Sequence, residues 1–194
     1  MKIGVLALQG AFIEHMSVIR QLGEEAVPVR LPRELDGLGG LIIPGGESTS
    51  ILHLMRSYNL IEPLRKVARS GFPVLGTCAG MICLAKEVSN SDSSNLETLA
   101  LMDVKVRRNA FGRQVDSFET ELLVPALDDE PFAAVFIRAP VIEEAGPQVE
   151  VLSSLPEGAA VAVRQGNLVA TAFHPELSND SRFHSYFLKI VASK

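Results

Sequence analysis

The chain has 194 residues, of which 47% are hydrophobic and 21% charged, with a formal net charge of −5. That balance suits one globular domain with a sizeable core and leaves no basic footprint for nucleic acid. No apolar run approaches the roughly 18 residues that cross a membrane, and two cysteines five positions apart, Cys78 and Cys83, make neither a disulfide framework nor a zinc site.

The opening "MKIGVLALQG" carries one lysine and an apolar run that stops at Gln9-Gly10 with no small-residue cleavage site behind it. A buried strand over residues 3–8 is therefore expected rather than a signal peptide, and the thiols are placed in a reducing cytoplasm. Phe12, Met16 and Ile19 fall on one helical face, and Leu22-Gly23 supplies the helix end. Strands are predicted over 26–31 and 41–43, the latter running into "PGGEST". Ile51, Leu52 and Met55 mark a second helix, and a fourth strand over 73–76 leads into "GTCAG". Strand and helix in alternation predict a parallel sheet with helices on both faces.

The second half changes character. "SNSDSSN", residues 89–95, reads as a polar loop, followed by five strand-like runs at 102–107, 118–124, 133–138, 149–152 and 159–164 with little helix between them. A last strand over 168–173 and a helix carrying Phe183, Phe187 and Ile190 close the chain. The expectation is one domain over 1–194: a parallel core with an antiparallel excursion.

"GTCAG" places Cys78 between glycines where a buried strand meets a helix. In open parallel sheets, sites lie beyond the carboxyl ends of the strands. A strand, a sharp turn bearing a nucleophile and a helix is the elbow usually written G-x-S-x-G, here with sulfur in place of oxygen. Cys83, inside the helix, reads as core filler. A cysteine nucleophile needs a base held by a third group. Of the four histidines, His15, His53 and His184 lie in helical patterns and read as solvated or core side chains. His174 ends a strand and precedes Pro175 and Glu176. Proline pushes the residue before it to extended geometry, and in extended chain residues two apart face one side. His174 and Glu176 are thus expected side by side, the carboxylate steadying one ring nitrogen while the other faces sulfur. Acyl chemistry also needs donors for an oxyanion. Ala79 N–H is one candidate, and "PGGEST" is placed to give another. A phosphate-cradling loop fits that stretch poorly, since Glu47 would repel phosphate and no Gly-Lys-Ser/Thr follows. Glu47 suits a substrate ammonium instead.

The elbow cysteine, "PGGES" upstream and "HPE" near the carboxyl end resemble, in that order, the triad-type (class I) glutamine amidotransferases. "IGVLALQGAFIEH", "GTCAGMICLAKE", "RRNAFGRQVDSFE", "VFIRAP" and "FHPEL" narrow the resemblance to the glutaminase subunits of pyridoxal 5'-phosphate synthase, from Ile3 to Leu177. The resemblance implies an α/β three-layer fold with an open, mostly parallel, flavodoxin-like sheet. It implies Cys78 as nucleophile on the side-chain amide of L-glutamine, His174 as proton carrier and Glu176 as its orienting acid. Gly46 and Ala79 would supply oxyanion-hole amides. Gly46, Glu47, Ser48, Arg108, Ile137 and Arg138 would grip glutamine, whose zwitterionic end wants an anion and one or two cations. Ammonia would pass to a (β/α)8 synthase subunit in a hetero-oligomer, with Gln9 and Gly10 in or beside the contact, and the reaction needs no metal or cofactor. Two other readings stay open. A cysteine peptidase or other hydrolase on the same fold would need no glutamine grip. A non-catalytic regulatory subunit would not need the triad that is present. Glutamate release measured against peptide or ester cleavage separates them.

Overall fold

The computed structural model describes residues 1–89, 97–110 and 117–194. The chain runs β1 (Lys2–Leu6), α1 (Phe12–Gln21), β2 (Glu25–Val29), a 3-10 turn at Pro32–Leu35, β3 (Gly40–Ile43), α2 (Ser48–Ser57), α3 (Ile61–Arg69), β4 (Val74–Thr77), α4 (Ala79–Leu84) and β5 (Ala85–Ser89). Then come β6 (Met102–Arg107), β7 (Ser117–Leu122), β8 (Phe132–Ile137), β9 (Val141–Ala145), β10 (Glu150–Ser154), β11 (Ala160–Gln165), β12 (Leu168–Thr171), a second 3-10 turn at Pro175–Leu177 and α5 (Arg182–Ala192).

The main sheet has the order β2-β1-β3-β4-β12-β11-β9-β6-β5, with β10 beside β11. The half from β2 to β12 is parallel throughout. Every residue of β3, β4 and β12 is buried, which requires cover on both faces. Helical crossovers between the strands supply it, and such connections are right-handed as a rule. The chain steps from β1 to β2 in one direction and from β3 to β4 in the other, so α1 and the α2–α3 pair fall on opposite faces. The point where that direction reverses lies between β1 and β3, where open α/β sheets open a crevice beyond their carboxyl ends.

The expected antiparallel excursion takes two forms. Most of it extends the same sheet, through β11 against β12 and β9, and β9 against β6. Only β7 and β8 stand apart as a two-stranded antiparallel sheet. An aromatic cluster fastens that ribbon to the core: Phe132 and Phe136 on β8 meet Phe173 at 5.6 Å between centroids, and Phe183 on α5 meets Phe132 at 5.1 Å.

Besides the two 3-10 turns, one helix and two strands among the described residues escape the sequence reading. α3 is a second helix between β3 and β4. β5 follows directly where the "MICLAKE" helix was expected to continue, and β9 begins just after Pro140. The polar loop expected at 89–95 lies outside the described residues except for Ser89, which ends β5. Among the described residues no helix is long and apolar enough to cross a membrane.

Candidate active site

β4 ends at Thr77 and α4 starts at Ala79, leaving Cys78 alone on the turn with φ 49° and ψ −104°. The sequence suggests that the flanking glycines bend the chain. In the structure the bend sits in Cys78 itself, an L-residue in a region that costs about 1–3 kcal/mol and persists only where its surroundings impose it. The glycines serve close approach instead. A Cβ on Gly80 would lie 2.0 Å from the Ile43 carbonyl oxygen, so α4 can begin against the end of β3 only without a side chain there. The Cys78 amide donates to Thr171 O at 2.8 Å, which fixes the elbow to the end of β12.

β12 stops at Thr171, and His174 follows with φ −104° and ψ 87°, the extended bias set by Pro175. The chain then turns rather than continuing extended, through the 3-10 turn Pro175–Leu177. The expected pairing still forms: His174 Nδ1 lies 2.7 Å from Glu176 Oε1. His174 N–H donates to Val135 O of β8 at 2.8 Å, so the two-stranded ribbon holds the histidine in place. The Glu176 side chain is fully buried. Burial favours a neutral imidazole, but hydrogen bonds with Cys78 and Glu176 outweigh it and push His174 up to about 10. With Nδ1 on Glu176, Nε2 is the nitrogen left for Cys78. Gly45 completes the packing, because a Cβ there would sit 2.3 Å from His174 Cε1 and 3.3 Å from Cys78 Cβ. Cys83 is a free, fully buried thiol whose pKa burial pushes well above the ordinary range, in keeping with core filler.

Gly45 and Gly46 follow β3, and the loop leaving β1 lies against them. Ala11 N–H donates to Gly45 O at 3.0 Å, and Glu47 N–H donates to Gln9 Oε1 at 2.8 Å. Glu47 caps α2, accepting from Thr49 N at 3.0 Å and Ser50 N at 2.6 Å. Burial raises its pKa, but the Ser50 hydroxyl, these amides and the Thr49 hydroxyl together outweigh that and hold the carboxyl below the usual range. Arg108 reaches the same loop, with Nη2 3.2 Å from Glu47 Oε1 and Nη1 3.4 Å from Thr49 Oγ1. The Ser48 hydroxyl is buried and has no hydrogen-bond partner among the described residues, an open polar atom beside the elbow loop. Ile137 ends β8 and its carbonyl oxygen lies 3.8 Å from Cys78 Sγ; Arg138 follows with φ 44°.

All the residues singled out in the sequence thus lie at one edge of the sheet: Gln9 and Gly10 after β1, Gly46 to Ser48 after β3, Cys78 and Ala79 after β4, His174 and Glu176 after β12. Arg108 and Ile137 meet them from β6 and β8, and Arg138 follows Ile137 in the chain. Two buried histidines were not assigned to this edge. His15 of α1 and His184 of α5 are fully buried behind Glu176. The signal was present, since His15 and Ile19 are four apart on the apolar face of α1 and His184 lies between Phe183 and Phe187.

A nucleophile on a strained elbow with a carboxylate-bound histidine beside it can carry out acyl transfer on an amide. The fold is that of a glutamine amidotransferase. A solved structure described as a crystal structure of glutamine amidotransferase is 48% identical, covers 98% of each chain and superposes with a TM-score of 0.92. More narrowly, the chain belongs to the SNO glutamine amidotransferase family, whose model matches residues 5–193, and it is a glutaminase. It is similar to the pyridoxal 5'-phosphate synthase subunit PdxT of Dehalococcoides mccartyi, 63% identical over 98% of this chain and 97% of the relative. It is also similar to the subunit of that name from Moorella thermoacetica, 56% identical over 98% of this chain and all of the relative.

Proposed function

We propose that residues 1–194 act as one amidotransferase domain that hydrolyses L-glutamine through Cys78, His174 and Glu176 and passes ammonia to a pyridoxal 5'-phosphate synthase subunit. Cys78 Sγ attacks the side-chain carbonyl carbon, and the resulting oxyanion is received by Ala79 N–H and Gly46 N–H. His174, charged between Cys78 and Glu176, gives its Nε2 proton to the leaving nitrogen, and ammonia departs as the thioester forms. A water then attacks the thioester with His174 as base, which releases glutamate and restores the thiol. The observation that carries this reading is the contact of 2.7 Å between His174 and Glu176 beside the elbow sulfur.

Glu47, Ser48 and Arg108 are proposed to bind the amino-acid end of the substrate, with Ile137 and Arg138 closing its other side. Arg108→Ala should raise KM about tenfold or more and leave kcat within about threefold, because a lost ion pair weakens substrate and transition state alike. Steady-state kinetics separates the two, and a pure kcat effect removes Arg108 from the grip.

Association with the synthase is proposed to switch the oxyanion hole. In a trans peptide the N–H and C=O point to opposite sides, so Ala11 N–H on Gly45 O also fixes the direction of Gly46 N–H. The Gln9–Gly10 loop therefore sets the hole, and a partner touching that loop reaches it. Losing one such donor removes about 3 kcal/mol of transition-state stabilisation. Synthase should raise glutaminase activity tenfold or more, and glutamine should tighten the complex in turn, since linkage is reciprocal. Glutamate release with and without synthase, together with ultracentrifugation of Cys78→Ala with synthase with and without glutamine, tests both. Full activity of the isolated chain with glutamine-independent association overturns the switch.

A further inference from the structure

The carboxylate of Glu176 uses only one oxygen on His174. Its other oxygen, Oε2, is buried with no hydrogen-bond partner among the described residues and lies at ion-pair distance, 3.3 Å, from Nε2 of His15. That same nitrogen is 3.1 Å from Thr77 Oγ1, and the opposite ring nitrogen, Nδ1, is 2.8 Å from Nε2 of His184. His184 Nδ1 is buried with no hydrogen-bond partner among the described residues. The line thus runs from α5 through α1 to the strand-end carboxylate, with no water-accessible ring in it.

Proton placement follows from this geometry. If His15 carried its proton on Nδ1, a lone pair on Nε2 would face the Glu176 carboxylate at 3.3 Å, and His184 would have to bury an N–H at Nδ1 with nothing to receive it. A buried donor without an acceptor is among the rarest arrangements in folded proteins. With the proton of each ring on Nε2, His184 donates to His15 Nδ1 and His15 donates toward Glu176 Oε2 and Thr77 Oγ1. A lone pair on His184 and the rotatable hydroxyl proton of Thr77 are then left over, but no ring lone pair is set against the buried carboxylate. Burial holds both rings neutral: His15 lies well below the ordinary histidine range, under the added influence of His184 and His174, and His184 falls to about 4.

We propose that His15, its tautomer locked by His184, is a positioning residue that holds the second oxygen of Glu176 and so keeps the first aimed at His174. The inference rests on the reading of Glu176 as the orienting acid. A carboxylate bonded through one oxygen can still swing about its terminal torsion; a donor on the second oxygen fixes its plane. Misorientation of Glu176 passes directly to His174, whose proton transfer depends on angle as well as distance.

The first test is nitrogen-15 histidine NMR of the full wild-type chain at neutral pH. Both His15 and His184 should be neutral with the proton on Nε2, and a proton on Nδ1 of His15 overturns the proposal without any variant having to fold. The second is glutaminase kinetics in the presence of synthase. His15→Leu should lower kcat about tenfold to a hundredfold, the range seen for second partners that orient a functional side chain, with KM within about twofold. His15→Gln, whose amide nitrogen can reach the place of Nε2, should restore most of that loss. Equal losses in His15→Leu and His15→Gln, or full kcat in His15→Leu, overturn the positioning role. Glu176→Gln is measured in parallel: full activity there removes the acid itself from the reaction, whereas a loss there beside an active His15→Leu removes only His15.

Discussion

Cys78→Ala should abolish glutamate release, by about ten-thousandfold or more, while Cys83→Ala keeps most of it. The two thiols are five positions apart but differ in every respect that matters for chemistry. Cys78 sits on the turn between β4 and α4, packed with His174 against Gly45, at the edge where four strand ends meet. Cys83 is fully buried within α4, and burial keeps its thiol protonated. Alanine has the same backbone strain at φ 49° as cysteine, so Cys78→Ala should fold like the wild type. Loss of activity then reports loss of the thioester. A glutamine-mimicking electrophile should alkylate Cys78 alone, as mass spectrometry of a digest will show. Substantial turnover by Cys78→Ala, or labelling shared with Cys83, would sink the assignment.

The strand ends were legible because each carries a local mark. A cysteine between glycines, a Gly-Gly pair before a helix and a histidine before proline all announce themselves within a few residues, and chain alternation then places them on one edge. The fold class follows from the same alternation in the first half. The elements that were missed lack such marks. β5 follows α4 with no breaker, so the helical pattern of "MICLAKE" gives no sign of the change at Ala85. β9 is short and two of its five residues are glutamates, and its place between β11 and β6 is set by pairing rather than by its own pattern. The pairing of His15 with His184 spans 169 positions, and no spacing rule reaches that far. Each ring alone is a histidine on an apolar helix face; only the packing of α1 beside α5 makes them a line leading to Glu176. The bend at Cys78 is a further case. "GTCAG" suggests glycine as the source of the turn, but the close approach of α4 to Ile43 accounts for Gly80, and the strain falls on Cys78.

Glu176→Gln should lower kcat about a hundredfold to ten-thousandfold with little change in KM, and should do so in a protein that still folds. Glutamine has nearly the shape of glutamate, so the packing around the buried side chain survives. The hydrogen-bond logic does not. If the amide oxygen faces His174, its NH2 group faces Nε2–H of His15, donor against donor across a contact that measures 3.3 Å with glutamate. If the NH2 group faces His174, it demands a lone pair on Nδ1, which puts the proton of a neutral ring on Nε2, facing the sulfur. A wrong tautomer of this kind is worth about ten-thousandfold in the serine-protease triad, where the geometry otherwise stays intact. In both orientations the negative charge is gone. Glu176 is one of the two partners that hold His174 up near 10, so its neutralisation must lower that pKa. Any step that needs the charged ring should therefore fail at a lower pH than in wild type. The kcat profile in the presence of synthase should lose its alkaline side first, and alkylation of Cys78 by the glutamine mimic should slow in the same direction. Wild-type kcat in Glu176→Gln, with an unmoved alkaline limb, would make the carboxylate structural and leave His174 to work unaided.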